Sequence, residues 1–272
     1  MTKFFLGSVA LAALTAAGPA WAADMWVKAP YKDPWSWTGP YVGLNAGYSW
    51  GRSGTTETLT NSVTGAVLAT FTESVKLPGG LVGIQVGHNW QLDRIVLGIE
   101  ADLQRTNERG NTSVLCPAGV CNPAINGPVT GTFDQRLSWF GTVRGRLGVT
   151  GSPVMAYVTG GLAFGEVNTD VSLAGINNVG GRIPVLVPVS SSFTSQTTKT
   201  GWTLGGGVEG RLWGNWTGKI EYLYVDLGTV SGGPFTTALV NGGGFINAAF
   251  NSRITDNILR FGVNYKLPPG GR

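Results

Sequence analysis

Charge is scarce in this chain. Asp, Glu, Lys and Arg together make up 12% of its 272 residues, against roughly 25% in soluble domains. A soluble fold with so few charges would struggle to cover its surface, whereas a barrel in lipid needs an apolar outer face. The balance of sign is slight as well: the net charge is +4, too weak to point to a nucleic-acid partner. Histidine is nearly missing. His88 is the only one, and no nucleophile pairs with it on a lumen or loop face, so a hydrolase or protease lacks its base. The two cysteines, Cys116 and Cys121, are too few to hold a metal by themselves. Beyond the first residues there is no apolar run for a membrane helix and no long amphipathic helical pattern.

What is present begins with an export leader. Lys3 is the positive region, residues 4–17 are the apolar region, Gly18-Pro19 breaks the helix, and Ala20-Trp21-Ala22 is a small-x-small cleavage site. Cleavage is expected after Ala22, giving a signal peptide of residues 1–22. The rival reading, an uncleaved membrane helix, is disfavoured because the run is short and interrupted. Residues 23–38 are rich in tryptophan, carry Pro30 and Pro34 and show no period; they are expected to be a periplasmic N-terminal extension.

Residues 39–267 then alternate. Eight stretches of period two run roughly over 39–50, 80–91, 95–106, 134–149, 154–167, 200–213, 217–228 and 254–267. Long connectors, rich in Gly, Ser, Thr and Asn, cover 51–79, 107–133, 168–199 and 229–253. Short ones sit near 92–94, 150–153 and 214–216. Four long outer loops and short periplasmic turns are the pattern of an eight-stranded antiparallel up-and-down transmembrane β-barrel. Closure removes the strand edges that would otherwise aggregate. Residues 268–272 form a short C-terminal tail.

The alternation assigns faces. Val42, Leu44, Ala46, Tyr48 and Trp50 oppose Tyr41, Gly43, Asn45, Gly47 and Ser49. Trp139, Val143, Leu147 and Val149 oppose Ser138, Thr142, Arg144 and Arg146. Turning Arg144 and Arg146 into hydrocarbon would cost ~2–4 kcal/mol each near the midplane, so the apolar face meets outer-membrane lipid and the polar face lines the lumen. Aromatic residues gather at strand ends, where amphipathic rings favour the lipid–water boundary. Tyr48, Trp50, Trp139, Phe164, Trp202 and Tyr224 are expected in the outer girdle. Trp90, Trp213, Trp216 and Tyr265 are expected in the periplasmic one, beside His88.

Three segments carry a family resemblance. Gly39-Pro40-Tyr41-Val42-Gly43-Leu44-Asn45-Ala46-Gly47 resembles the first strand of the small alphaproteobacterial outer-membrane barrels. Trp139-Phe140-Gly141-Thr142-Val143-Arg144-Gly145-Arg146-Leu147-Gly148 resembles their fourth, and Glu221-Tyr222-Leu223-Tyr224-Val225-Asp226-Leu227-Gly228 their seventh. The resemblance implies an eight-stranded, porin-like, OmpA-type barrel in the cell outer membrane of a Gram-negative envelope. That family includes major surface antigens and haemin-binding members. Arg260, Gly262, Tyr265 and Leu267 are similar to the C-terminal signal read by the barrel assembly machinery. Its physical sense is capture of an edge strand by backbone pairing. The tail Pro268-Pro269-Gly270-Gly271-Arg272 departs from the family, whose chains usually stop at that strand.

Inside the barrel the same parity gathers Glu100, Asp102, Arg144, Arg146, Glu209, Arg211, Lys219, Glu221, Arg260 and Lys266. Eight strands leave room for side chains and little else, so opposed charges are expected to pair and plug the lumen. The rival is a gated ion path in which pairs exchange partners. One hairpin holds a conflict. Gly214-Asn215 reads as a two-residue turn, but placing Glu209 and Arg211 inward with Lys219 and Glu221 requires an odd loop, and the charges are followed here. Cys116 and Cys121, close together in an exported loop, are expected to form a disulfide. Gly205-Gly206-Gly207 and Gly242-Gly243-Gly244 open no helix and are not phosphate cradles. No cofactor is implied. The expected function is structural and surface-interactive, with loops free to meet external ligands or host surfaces; a narrow porin is the alternative.

Overall fold

The computed structural model of the protein describes residues 35–116, 129–178, 186–238 and 245–268. The expected cleavage site, most of the N-terminal extension and the expected bridge between Cys116 and Cys121 lie outside the described residues and side chains.

The described chain is all β. Eight strands, β1 (Gly39–Asn61), β2 (Val67–Leu92), β3 (Ile95–Cys116), β4 (Val129–Thr150), β5 (Val154–Asn178), β6 (Leu186–Trp213), β7 (Trp216–Ala238) and β8 (Phe245–Lys266), pair in sequence order, and β8 closes on β1. Every pairing is antiparallel. Cα partners followed once around lead from Ser49 through Ile258, Leu223, Gly205, Thr159, Arg146, Gly98 and Asn89 back to Gly39, a stagger of ten residues on β1. Closed eight-stranded sheets with such a stagger tilt their strands by about 40°.

The strands are 22 to 28 residues long, whereas about 9–11 residues cross a bilayer. The portion nearest the short turns carries the lipid face. Leu44, Ile84, Ile99, Leu147, Leu162, Leu204 and Phe261 are all exposed there. The remainder projects outward. This corrects the expectation of four long loops: the spans 51–79, 107–133, 168–199 and 229–253 are largely strand. β1, for example, continues to Asn61 and β2 resumes at Val67 across a turn.

In the projecting part the chemistry inverts. Phe133, Leu137, Val167, Leu227, Val230, Phe250 and Ile254 point inward and form one buried cluster, with Phe133 and Phe250 edge to face at 5.6 Å. Pairing between β2 and β3 ends at Leu81 with Thr106, and between β6 and β7 at Trp202 with Asp226. Above those points β7-β8-β1-β2 and β3-β4-β5-β6 face each other as two four-stranded sheets around the apolar cluster. β-bulges or irregularities between Arg105 and Glu108, Leu137 and Trp139, Arg211 and Trp213, and Asp226 and Gly228 shift the register near these transitions or near a turn, and two more fall farther out, between Leu59 and Thr60 and between Gly232 and Phe235.

The bulge beside Leu212 resolves the conflict over the β6–β7 hairpin. Gly214 and Asn215 do form a two-residue turn, with Gly214 at φ 51°, a left-handed value that glycine adopts without steric cost. Glu209 nevertheless faces Lys219, because the bulge supplies the extra residue that parity demands.

Candidate functional site

The lumen is filled in three tiers. The middle tier lies at the height of the lipid face and is made of charge. Glu100 and Asp102 come from β3, Arg144 and Arg146 from β4, Glu209 from β6, Lys219 and Glu221 from β7, and Arg260 from β8. These eight side chains are 0–3% exposed or, for Asp102 as a whole residue, 6%. Four carboxylates thus meet four cations. Arg144 pairs with Glu100, with Asp102 at 2.9 Å and with Glu221 at 3.1 Å, and its Nε donates to Thr142 at 2.9 Å. Arg260 reaches Asp102 at 2.8 Å and Glu221 at 2.5 Å. The Lys219 ammonium donates to both Glu100 oxygens at 2.9 Å. Arg146 binds Glu209 at 2.7 Å and lies 4.0 Å from the centre of the Tyr157 ring.

Uncharged donors complete the tier. The Tyr41 hydroxyl donates to Glu100 Oε2 at 2.7 Å and accepts from Arg146 at 2.6 Å. Tyr157 donates to Glu221 at 2.9 Å. Thr217 and Asn264 donate to Glu209 at 2.6 and 2.8 Å. Each cation touches at least one carboxylate, which is the condition for keeping ionised groups out of water.

Two of the ten residues expected in this cluster are elsewhere. Arg211 is exposed and Lys266 half-buried. Both sit at the periplasmic mouth, with the guanidinium 4.7 Å and the ammonium 4.9 Å from the Trp35 ring centre. Their parity along the strand is inward, but they lie at the strand ends, below the level where the wall encloses a side chain.

The mouth itself is the lowest tier, and the sequence reading missed it. Trp35 and Trp37 are buried, edge to face at 5.8 Å, against Val96, Met155 and Tyr157. The Trp37 indole donates to Thr150 Oγ1 and its backbone N–H to Gln91 Oε1, both at 2.8 Å. The Lys266 ammonium donates to the Ser36 carbonyl. The only sequence signal was tryptophan in a lead that had no reason to be apolar. The top tier is the apolar cluster, which starts directly above the charges at Leu223, Ile258 and Phe140, each 0–1% exposed.

On the outside, aromatic rings ring the wall in pairs. Tyr48 and Trp50 lie 5.2 Å apart, Trp139 and Phe164 6.2 Å, Trp202 and Tyr224 5.4 Å, Trp216 and Tyr265 4.9 Å, and His88 and Trp90 4.5 Å. Trp213 is exposed at the periplasmic end. Together with the apolar band between them, the two levels of rings mark a bilayer.

Residues 8–266 match the model of the outer membrane protein beta-barrel domain. The chain belongs to that family. Its relatives among outer-membrane β-barrels include the 31 kDa outer-membrane immunogenic protein of Brucella melitensis, 37% identical over 96% of this chain and 99% of the relative. The 22 kDa outer membrane protein of Rhizobium leguminosarum is 29% identical over 73% of this chain and 68% of the relative. Among solved structures, Neisserial surface protein A aligns over 85% of this chain and 98% of its own, at 14% identity and a TM-score of 0.34. The protein is therefore an outer-membrane β-barrel of the cell envelope, with surface antigens among its relatives.

Proposed function

We propose that this barrel is a sealed anchor, which holds a rigid β-structure on the cell surface and reinforces the envelope without conducting or catalysing. The observation that carries this reading is the filling of the lumen by the described residues: a tryptophan stopper, a charge network in which every cation meets a carboxylate, and an apolar core. A solute would have to part ion pairs that lie in a poorly hydrated interior, at a cost of several kcal/mol per stranded charge. Within the charge network each carboxylate is engaged by a cation.

The tips of the projecting sheets, and the connections between them, are the parts that external ligands or host surfaces would meet. Arg260, Gly262, Tyr265 and Leu267 fit a second role as the signal for the barrel assembly machinery. Arg260 belongs to the charge network as well, so this strand carries both an assembly role and the seal.

Planar-bilayer recording of the full chain tests the seal. The expected trace is flat. Steady, reproducible unit currents from the parent protein would replace this reading with that of a narrow porin.

A further inference from the structure

Five cations on five neighbouring strands face outward at one height. Arg52 on β1 stands one outward position beyond Trp50. Lys76 on β2 is its Cα partner. Arg253 on β8 is the partner of Gly54, two residues along from Arg52. Arg109 on β3 and Arg136 on β4 are partners of each other. Gly110, beside Arg109, packs against the Lys76 carbonyl so closely that a Cβ there would lie 2.2 Å from its oxygen, which brings the two groups of cations together. All five are exposed.

The height is that of lipid headgroups. Two residues beyond Trp50 is about 5 Å along the membrane normal, at ~3.3 Å per residue and ~40° of tilt. The polar zone outside the hydrocarbon is about 5–8 Å deep on each side. Arg136 takes the matching place beyond Trp139, across the bulge on β4. The belt covers one flank only. At the same level β5, β6 and β7 present Glu166, Thr198 and Thr229, partners respectively of Trp139, Glu166 and Arg253.

Like charges placed directly opposite on neighbouring strands repel, and the two opposed pairs are treated differently. Between Arg109 and Arg136 the protein supplies its own anion: Asp134 lies 2.8 Å from the first and 2.9 Å from the second. Arg253 likewise has Asp226 at 2.6 Å. Arg52 and Lys76 form no ion pair among the described residues. They are opposed cations at headgroup depth without an internal counter-ion, flanked by further guanidinium groups that favour bidentate contact with phosphate.

We propose that Arg52 and Lys76, supported by Arg253 and Arg109, bind the phosphate groups of the phosphorylated glycolipid in the outer leaflet. The site is a lipid clamp on one flank of the barrel, separate from the lumen and independent of whether the lumen conducts. Ionic contacts made there tie the projecting sheets to the membrane surface.

Native mass spectrometry of the full chain in detergent, titrated with bisphosphorylated lipid A or its dephosphorylated form, tests the proposal. The parent is expected to retain the phosphorylated lipid and release the other. Replacing Arg52 and Lys76 together with Ala should weaken retention on the order of 30-fold, at roughly fivefold per surface cation. Exchanging them as Arg52→Lys with Lys76→Arg should preserve it, and Arg94→Ala at the periplasmic turn should leave it unchanged. Because these side chains point outward, the variants should match the parent in heat-unfolding midpoint. Equal retention by the double Ala variant and Arg94→Ala would overturn the site. So would equal retention of the dephosphorylated lipid. Displacement of lipid A by equimolar inorganic phosphate would assign the belt to a free anion. Tighter binding of a soluble sulfated glycan, lost in the same double variant, would assign it to an extracellular partner; either result rejects the lipid clamp.

Discussion

The same eight strands build two regions with opposite interiors. In the membrane the wall is apolar outside and the inside is ionic, with Arg144 and Arg260 fully buried among carboxylates. Above the membrane the wall is polar outside and the inside holds an aliphatic and aromatic cluster around Phe133 and Phe250, beside a smaller uncharged polar group of Ser53, Thr55, Gln135 and Ser252. The solvent beyond the wall makes the difference. Lipid takes up the apolar side chains of the lower region, so its interior is left with polar groups that must satisfy one another. Water does the reverse above, and there burial of apolar area stabilises the sheets as in any soluble sandwich. One region is held by pairing and the other by packing.

That contrast is breakable in a graded way. The largest effect is expected in the lower region. Arg144→Leu strands Glu100, Asp102 and Glu221 without one of their cations and should cost ~3–5 kcal/mol. Val143→Leu next to it exchanges one lipid-facing group for another and should cost under about 1 kcal/mol. Unfolding midpoints of the two variants in detergent decide the matter, and equal midpoints would show that the network contributes little.

In the upper region, Ile254→Ala removes part of a buried side chain and should cost about 3 kcal/mol. Here the damage should be local. Limited proteolysis is expected to trim the projecting sheets while leaving the membrane-embedded strands intact, whereas Arg144→Leu should loosen both. A variant that loses both regions together would show that they unfold as one unit.

Most of the lower region was legible in the sequence, and much of the upper region was not. Lipid tolerates no inward–outward ambiguity: the penalty on Arg144 in hydrocarbon fixes the parity of β4 and, through pairing, of its neighbours. In the upper region the penalties are small. Residues 51–61 read as a polar loop because both faces of that strand are polar; Ser53 and Thr55 point inward and hydrogen-bond to Ser252 rather than packing on carbon. The bulges hide the pattern further. Leu137 and Phe140 on β4 are both buried, although an uninterrupted strand would turn them to opposite faces. Within the site, the charged members were readable because parity gathers them. Tyr41 and Tyr157 escaped notice since a ring at an inward position looks like ordinary filling. Trp35 and Trp37 belong to no periodic element at all.

A smaller effect is expected at the upper tips. We propose that Cys116 and Cys121 are bridged; closing so small a loop contributes ~2 kcal/mol in the chain-entropy view. Thiol labelling of protein purified without reductant should fail and should succeed after reduction. Reactive thiols in the unreduced protein would remove the bridge from the account.

The smallest effect lies at the boundary between the regions. Burial pushes the Asp134 carboxyl up, but hydrogen bonds from Arg109 and Arg136 outweigh this and hold it below its ordinary value. A carboxylate lowered on folding adds stability above its unfolded pKa, about 3.9, and that contribution disappears as the pH falls through the folded value. Asp134→Asn should therefore lower stability at pH 7 by well under about 1 kcal/mol, as befits a solvent-screened pair, and the gap to the parent should close below about pH 4. A gap that stays constant with pH would mean that the loss is one of packing.

The unpaired seams in the upper region constrain how such a chain can change length over generations. Each outer hairpin, such as β1 with β2, can grow at its tip without disturbing the closed wall below. Side chains alternate with a period of two, so adding one residue to each arm would turn every inward group beyond it to the outside. Insertions made without a new bulge therefore keep the interior intact only as two residues per arm, four per hairpin. Each such step raises that hairpin by about 5 Å at ~40° of tilt. Because no ladder joins β2 to β3 beyond Thr106, or β6 to β7 beyond Asp226, the two facing sheets can be lengthened separately, so the height of the surface structure is adjustable in small, discrete increments while the membrane-spanning wall stays constant.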